Sequence, residues 1–228
     1  MPTGLIEILE DAFRLLLKNK IIFLPVLIVN LISLPFYLAD FSRNSSEYLV
    51  GEILFSILGM FAYVATIGIA YSSVNKKYRG QGSRLVTINL VNFFLASILY
   101  LLIVLAGILL LIIPGIYFAV RLYLYPNAIV VDRKGPLESL KRSWKVTKGK
   151  WWLTFGIGLV IGLITLVALI PAIILMVVAS DVGVIIGSTL LFLILIVTSV
   201  WDIVAYLILY LRISKHRFLN KDVEYGNG

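Results

Sequence analysis

Six stretches of nearly uninterrupted apolar residues leave this chain very few ways to fold. A helix that crosses a bilayer needs about 20 mostly apolar residues, since each residue rises about 1.5 Å through a hydrocarbon core about 30 Å thick. Windows of that length pick out residues 21–39, 50–74, 93–113, 115–131, 151–178 and 182–211. The 61% hydrophobic and 14% charged residues fall far outside the soluble pattern of about 45–50% apolar and 25% charged. The expected fold is therefore all-α: a polytopic membrane helical bundle of six transmembrane helices forming one integral membrane domain over residues 1–228. Pro114 and Gly115 separate the third and fourth runs and suit a tight turn, so these two spans are expected to form a hairpin.

The charges orient the bundle. Arg14, Lys18 and Lys20 precede the first span, and Lys76, Lys77, Arg79 and Arg84 lie between the second and third. Arg133, Lys134, Lys141, Arg142, Lys145, Lys148 and Lys150 separate the fourth from the fifth, and Arg212, Lys215, Arg217 and Lys221 follow the sixth. The opposite loops hold Arg43 alone. By the positive-inside rule both termini are expected on the cytoplasmic side of a cell membrane. The net charge of +8 is then explained by loops facing anionic lipid, and nucleic acid is not an expected partner. Glu7, Glu10 and Asp11 occupy the place of a basic signal region, so the first span is expected to be retained.

Arg121 is the exception to the loop pattern, because it falls inside the apolar run 115–131. A cation at mid-bilayer costs about 2.5–3.5 kcal/mol on insertion scales and calls for a partner. Arg121 lies 11 residues before Asp132, and Asp202 lies 10 before Arg212. At 1.5 Å per residue both sit about 15–16 Å from the cytoplasmic ends of their spans. Asp202 is the expected partner. One reading makes the two a buried clamp between spans four and six; a second lets Arg121 reach an anionic ligand; a third, a proton or ion path, is disfavoured by the lack of a chain of intramembrane acids or histidines. Trp201, Tyr117, Tyr123, Tyr125 and Asn127 are candidates to hydrogen-bond around the pair. Pro126 lacks a backbone donor and is expected to kink span four, freeing a carbonyl.

Two amphipathic segments flank the spans, at about residues 3–18 and 136–148. In the first, Ile6, Leu9, Phe13 and Leu16 recur at helical spacing. In the second, Leu137, Leu140 and Trp144 form the stripe and Glu138 can pair with Arg142. Both are expected on the cytoplasmic surface, either docked on the protein's own loops or contacting anionic lipid through Lys141, Arg142, Lys145, Lys148 and Lys150. The step Lys18–Lys20 and its counterpart Lys148–Lys150 each lead into a span and hint at a parallel repeat. Gly158 with Gly162, and Gly183 with Gly187, have the spacing of close helix contacts. Asn30, Pro25, Pro35 and Pro171 are candidate helix kinks.

The run 111–155, LIIPGIYFAVRLYLYPNAIVVDRKGPLESLKRSWKVTKGKWWLTF, resembles the membrane domain fused to some bacterial glycerophosphodiester phosphodiesterases and related stand-alone six-helix membrane proteins. The matching features are Ile113-Pro114-Gly115-Ile116-Tyr117, Arg121, Pro126, the Gly135 turn, Leu140-Lys141-Arg142-Ser143-Trp144 and Lys148-Gly149. That resemblance implies a six-helix bundle with an accessory, lipid-associated or transport-like role. Catalysis in that superfamily belongs to a separate soluble barrel, so the phosphodiesterase activity is not implied.

No nucleophile elbow, phosphate loop, zinc-ligand spacing or paired-carboxylate pattern occurs. Cysteine is absent and His216 is the single histidine, so no cofactor and no metal are expected. Two readings stand. The first is a non-enzymatic scaffold or accessory protein that binds membrane lipid, with anionic headgroups favoured. The second is a small transporter or pore with an anion or headgroup site at Arg121. A homo-oligomer or another membrane partner is compatible with both.

Overall fold

The computed structural model describes residues 4–38, 46–75, 78, 82–178 and 181–214, and every regular element among them is helical. In chain order these are α1 (Leu5–Lys18), a 3-10 turn (Lys20–Phe23), α2 (Leu24–Leu38), α3 (Ser46–Val74), α4 (Gly82–Leu110) and α5 (Ile112–Leu122). There follow α6 (Tyr125–Asp132), α7 (Pro136–Val146), α8 (Trp151–Val178) and α9 (Asp181–Ile213). Arg43, Lys76, Lys77, Arg79, Lys215, Arg217, Lys221 and His216 lie outside the described residues.

Among the described residues four helices are long and apolar enough to cross a membrane: Tyr48–Val74, Leu90–Leu110, Trp151–Val178 and Val182–Ile213. A fifth crossing arises only if Leu5–Lys18 and Lys20–Ser33, which meet at 97°, are taken together as one broken span. The described residues thus supply four to five of the six transmembrane helices expected. Residues 115–131 do not form one helix, because the chain leaves α5 at Leu122 and restarts at Tyr125. Pro126 sits in the first turn of α6, where its missing N–H is harmless; inside a continuous helix it would cost about 3 kcal/mol.

The turn between α4 and α5 also falls earlier than Pro114–Gly115. Leu111 is the extended residue that reverses the chain, with φ −166° and ψ 148°. Pro114 then occupies the first turn of α5, whose N–H groups have no intrahelical partner. Gly115 serves the packing of α5 on α4. A Cβ there would lie 2.9 Å from the backbone N of Ile108 and collide with that residue's side chain. Gly107 is its counterpart, since a Cβ on it would come 2.9 Å from Cα of Gly115. Of the glycines singled out by spacing, Gly158 makes room for the Tyr206 hydroxyl and Gly187 for Ala172 and Met176, whereas Gly162 has open space around it.

The core gathers around the C-terminal third of α9. Every residue from Ile203 to Leu211 is buried, the pattern of a helix surrounded on all sides rather than along one stripe. Towards the other end of the α8–α9 pair, Val177, Val178, Val182 and Ile185 are largely exposed, as suits surface that meets lipid.

α1 packs on this hub. Its buried face is Ile8, Leu9, Ala12, Leu15 and Leu16, while Ile6 and Phe13 of the expected stripe are exposed. The indole N–H of Trp201 donates to the Leu9 carbonyl at 3.1 Å, and Phe13 meets the same indole edge-on. Arg212 pairs with Glu7 and Asp11, so α1 is clasped at both ends of the buried segment of α9.

The stripe expected on α7 is likewise corrected. Leu140 is buried, but Leu137 and Trp144 are exposed, and the buried face consists largely of Ser139, Ser143, Val146 and Thr147. The expected Glu138–Arg142 pair is replaced by Lys134–Glu138 at 3.5 Å and Arg142–Asp132 at 2.8 Å. A face of small hydroxylated residues suits a helix that must satisfy exposed backbone, and the break between α5 and α6 supplies that backbone.

Candidate functional site

At the break, Tyr123 and Leu124 leave two peptide groups without their helical partners. α7 supplies them. Ser143 Oγ accepts from the Leu124 N–H at 3.1 Å and donates to the Arg121 carbonyl at 2.9 Å. Thr147 Oγ1 lies 3.0 Å from the same carbonyl and 2.8 Å from that of Ser143. Ser143 and Thr147 are fully buried, and backbone groups left unpaired there would each cost about 1–3 kcal/mol. Neither was a candidate site residue from sequence, although Ser143 lies in the matching run Leu140-Lys141-Arg142-Ser143-Trp144. The four-residue spacing of Ser139, Ser143 and Thr147 is the signal that would have found them.

The Arg121 side chain leaves the break on the same side. It is 5% exposed, and its guanidinium carbon lies 4.3 Å from the centre of the Trp144 ring and 5.9 Å from that of Tyr117. Tyr117 stacks on Trp151 at 6.2 Å, and Trp151 on Phe155 at 5.1 Å. No carboxylate among the described residues comes within ion-pair distance of Arg121, and its Nε is buried without a hydrogen-bond partner. Cation–π contact contributes about 0.5–2 kcal/mol, too little to stand in for a counter-charge.

The expected Arg121–Asp202 pair is therefore absent. Asp202 instead accepts from the Tyr123 hydroxyl at 3.1 Å. The physical reason is rotation about the helix axis. Tyr123 follows Arg121 by two residues, which at 3.6 per turn is about 200° around the helix. One side chain consequently faces α9 and the other faces α7.

The remaining candidates fall into separate neighbourhoods. Trp201 serves α1, and Asn127 is 1% exposed with its Oδ1 unpartnered. Tyr125 shares a hydrogen bond with Ser97 at 2.9 Å. Tyr123, Tyr125 and Pro126 line a cavity of about 570 Å³ between α3 and α4, together with Tyr63, Tyr100, Phe93 and Ser97. Neither Arg121 nor Asp202 is part of that lining.

Four of the five basic residues expected to face anionic lipid, Lys141, Lys145, Lys148 and Lys150, are exposed. Arg142 is committed to Asp132, which also accepts from the Tyr210 hydroxyl at 2.6 Å. Desolvation weighs against the Arg142 charge, but its interactions with Tyr210 and Asp132 outweigh that and hold its pKa above the ordinary arginine value. Among the described residues no group of acidic or histidine side chains is placed to hold a metal ion.

Comparison with known proteins finds similarity to a domain family of unknown function and to a membrane protein. A family described as a domain of unknown function (DUF7847) matches residues 83–213, which includes the α5–α6 break, α7 and α9. A UPF0259 membrane protein from Photorhabdus laumondii subsp. laumondii is 30% identical over 100 residues, 42% of this chain and 39% of that protein. The chain thus spans well under half the length of that relative. No solved structure matches. Neither match carries the link to glycerophosphodiester phosphodiesterases.

Proposed function

We propose, from the premise that the chain belongs to the DUF7847 domain family, that it is a non-enzymatic, lipid-interacting accessory protein of the cell membrane whose Arg121 engages an anionic headgroup. The observation that carries this reading is a guanidinium 5% exposed, set against the Trp144 ring, with no carboxylate partner among the described residues. A phosphate would supply the missing charge and accept charge-assisted hydrogen bonds, each about twice as strong as a neutral one. Tyr117, Trp144 and Trp151 gather beside it, and such aromatic residues concentrate at headgroup level. The exposed Lys141, Lys145, Lys148 and Lys150 add attraction of about 1 kcal/mol each near an anionic surface. With those lysines at the cytoplasmic face, both termini lie on that side. The resemblance of residues 111–155 to a phosphodiesterase-associated membrane domain agrees with a lipid-related role. The pore reading would need a cavity reaching Arg121, and the cavity between α3 and α4 is lined by other residues.

The test uses the conservative variants Arg121→Gln and Arg121→Lys. The α7 hydroxyls hold the Arg121 backbone carbonyl rather than its side chain, so both variants keep the bridge over the break. In nanodiscs containing phosphatidylglycerol, Arg121→Gln should retain the anionic lipid about 10–100-fold less tightly, equivalent to about 1.5–3 kcal/mol, with Arg121→Lys between. In purely zwitterionic nanodiscs Arg121→Gln should be as stable as the parent or more so, because an uncompensated buried charge has been removed. Equal retention of phosphatidylglycerol by parent and Arg121→Gln, measured by native mass spectrometry, would sink the reading.

A further inference from the structure

We infer that the cavity between α3 and α4 is a second, uncharged site, which takes a neutral lipid carrying a carbonyl-type oxygen. Its lining is apolar or hydroxylated throughout: Gly59, Met60, Phe93, Leu101 and Pro126 supply surface, and Ser56, Ser97 and four tyrosines supply the polar atoms. The volume of about 570 Å³ falls in the range of small-molecule sites, about 300–1,000 Å³. Ser56 and Leu101 are exposed, which places the mouth on the outer, lipid-facing surface of two helices long and apolar enough to cross the membrane. A ligand would enter sideways from the bilayer.

The hydroxyls say what that ligand carries. Tyr123 donates to Asp202, and Tyr125 is paired with Ser97, whose own proton goes to the Phe93 carbonyl. Tyr63 and Tyr100 have no hydrogen-bond partner among the described residues. Neither of their oxygens is among the buried, unpaired atoms, so both open onto accessible space. Two free O–H donors in an apolar wall within the membrane lack the water that would satisfy them elsewhere. A carbonyl oxygen is the acceptor a neutral lipid can bring, either as the ester of a diacylglycerol or as the ring carbonyl of an isoprenoid quinone. A charged headgroup finds no counter-charge in this lining, which separates the site from that of Arg121.

The experiment titrates the purified full chain in phosphatidylcholine nanodiscs with dioleoylglycerol, ubiquinone-10 or squalene, the last having no oxygen. Binding is read as an increase in thermal stability and by native mass spectrometry. Tyr63→Phe with Tyr100→Phe removes both donors at nearly constant volume. Gly59→Leu places a side chain in the cavity, and its Cβ meets nothing within 4 Å; an unchanged circular-dichroism spectrum and melting point without ligand check that this variant is folded. At least one carbonyl compound should bind the parent, about tenfold more weakly the double Phe variant, and not at all Gly59→Leu; squalene should not match it. Whichever carbonyl compound binds identifies the source. Binding of neither, equal binding of squalene, or unchanged binding by either variant would overturn the inference. Phosphatidylglycerol retention should be unchanged in both variants, so the failure of this site and that of the Arg121 site give different results.

Discussion

Asp132→Ala should destabilise the protein by about 3 kcal/mol, at the lower end of the range for removing one partner of a buried ion pair. Asp132 closes α6, and its Oδ2 accepts from Arg142 Nε of α7 at 2.8 Å and from the Tyr210 hydroxyl of α9 at 2.6 Å. One carboxylate thus ties three helices together. Its side chain is 10% exposed and that of Arg142 is 29% exposed, so solvent compensates the abandoned guanidinium only in part. Adding Arg142→Met should restore part of the loss, because the second substitution removes the stranded charge. Reversible unfolding of the four proteins in mixed micelles gives the cycle. Additive losses in the double variant would mean that Asp132 and Arg142 act separately.

Gly115→Leu should cost about 3 kcal/mol, the upper end of the usual range for overpacking. The atoms in the way are backbone N and Cα of Ile108, at 2.9 and 3.0 Å from the new Cβ, and they cannot retreat unless α4 moves. Gly162→Leu is the matched control, since nothing lies within 4 Å of a Cβ there. It should fall within about 0.5 kcal/mol of the parent, as surface substitutions usually do. Equal losses for the two variants would show that the approach of α4 to α5 is not tight in the membrane.

The long apolar helices were legible because composition over 20 residues is enough to define them. Residues 151–178 correspond residue for residue to α8, and 182–211 differ from α9 only at its ends. The break at Tyr123–Leu124 was half legible. Pro126 announced a disturbance, but hydropathy averaged over residues 115–131 could not show that two short helices share the run. The partner of Arg121 was misread because residue counting along two helices measures depth and leaves rotation undetermined. Depth put Asp202 beside this segment, and rotation gave it to Tyr123. The role of α7 escaped for a third reason. A search for apolar stripes passes over Ser139, Ser143 and Thr147, whose burial follows from the backbone they satisfy.

The bridging of that break by Ser143 also sets an order of events during synthesis. Ser143 follows Tyr123 by 20 positions, so at about 5–20 residues per second it appears about 1–4 s later. Until then the Arg121 carbonyl and the Leu124 N–H lack the hydroxyl that pairs both of them in the folded protein. The α5–α6 segment can settle in its final, dehydrated place only once α7 has been made. α7 is thus the piece that completes the packing of the segment preceding it, and the order of folding is written into a short helix rather than into a long one.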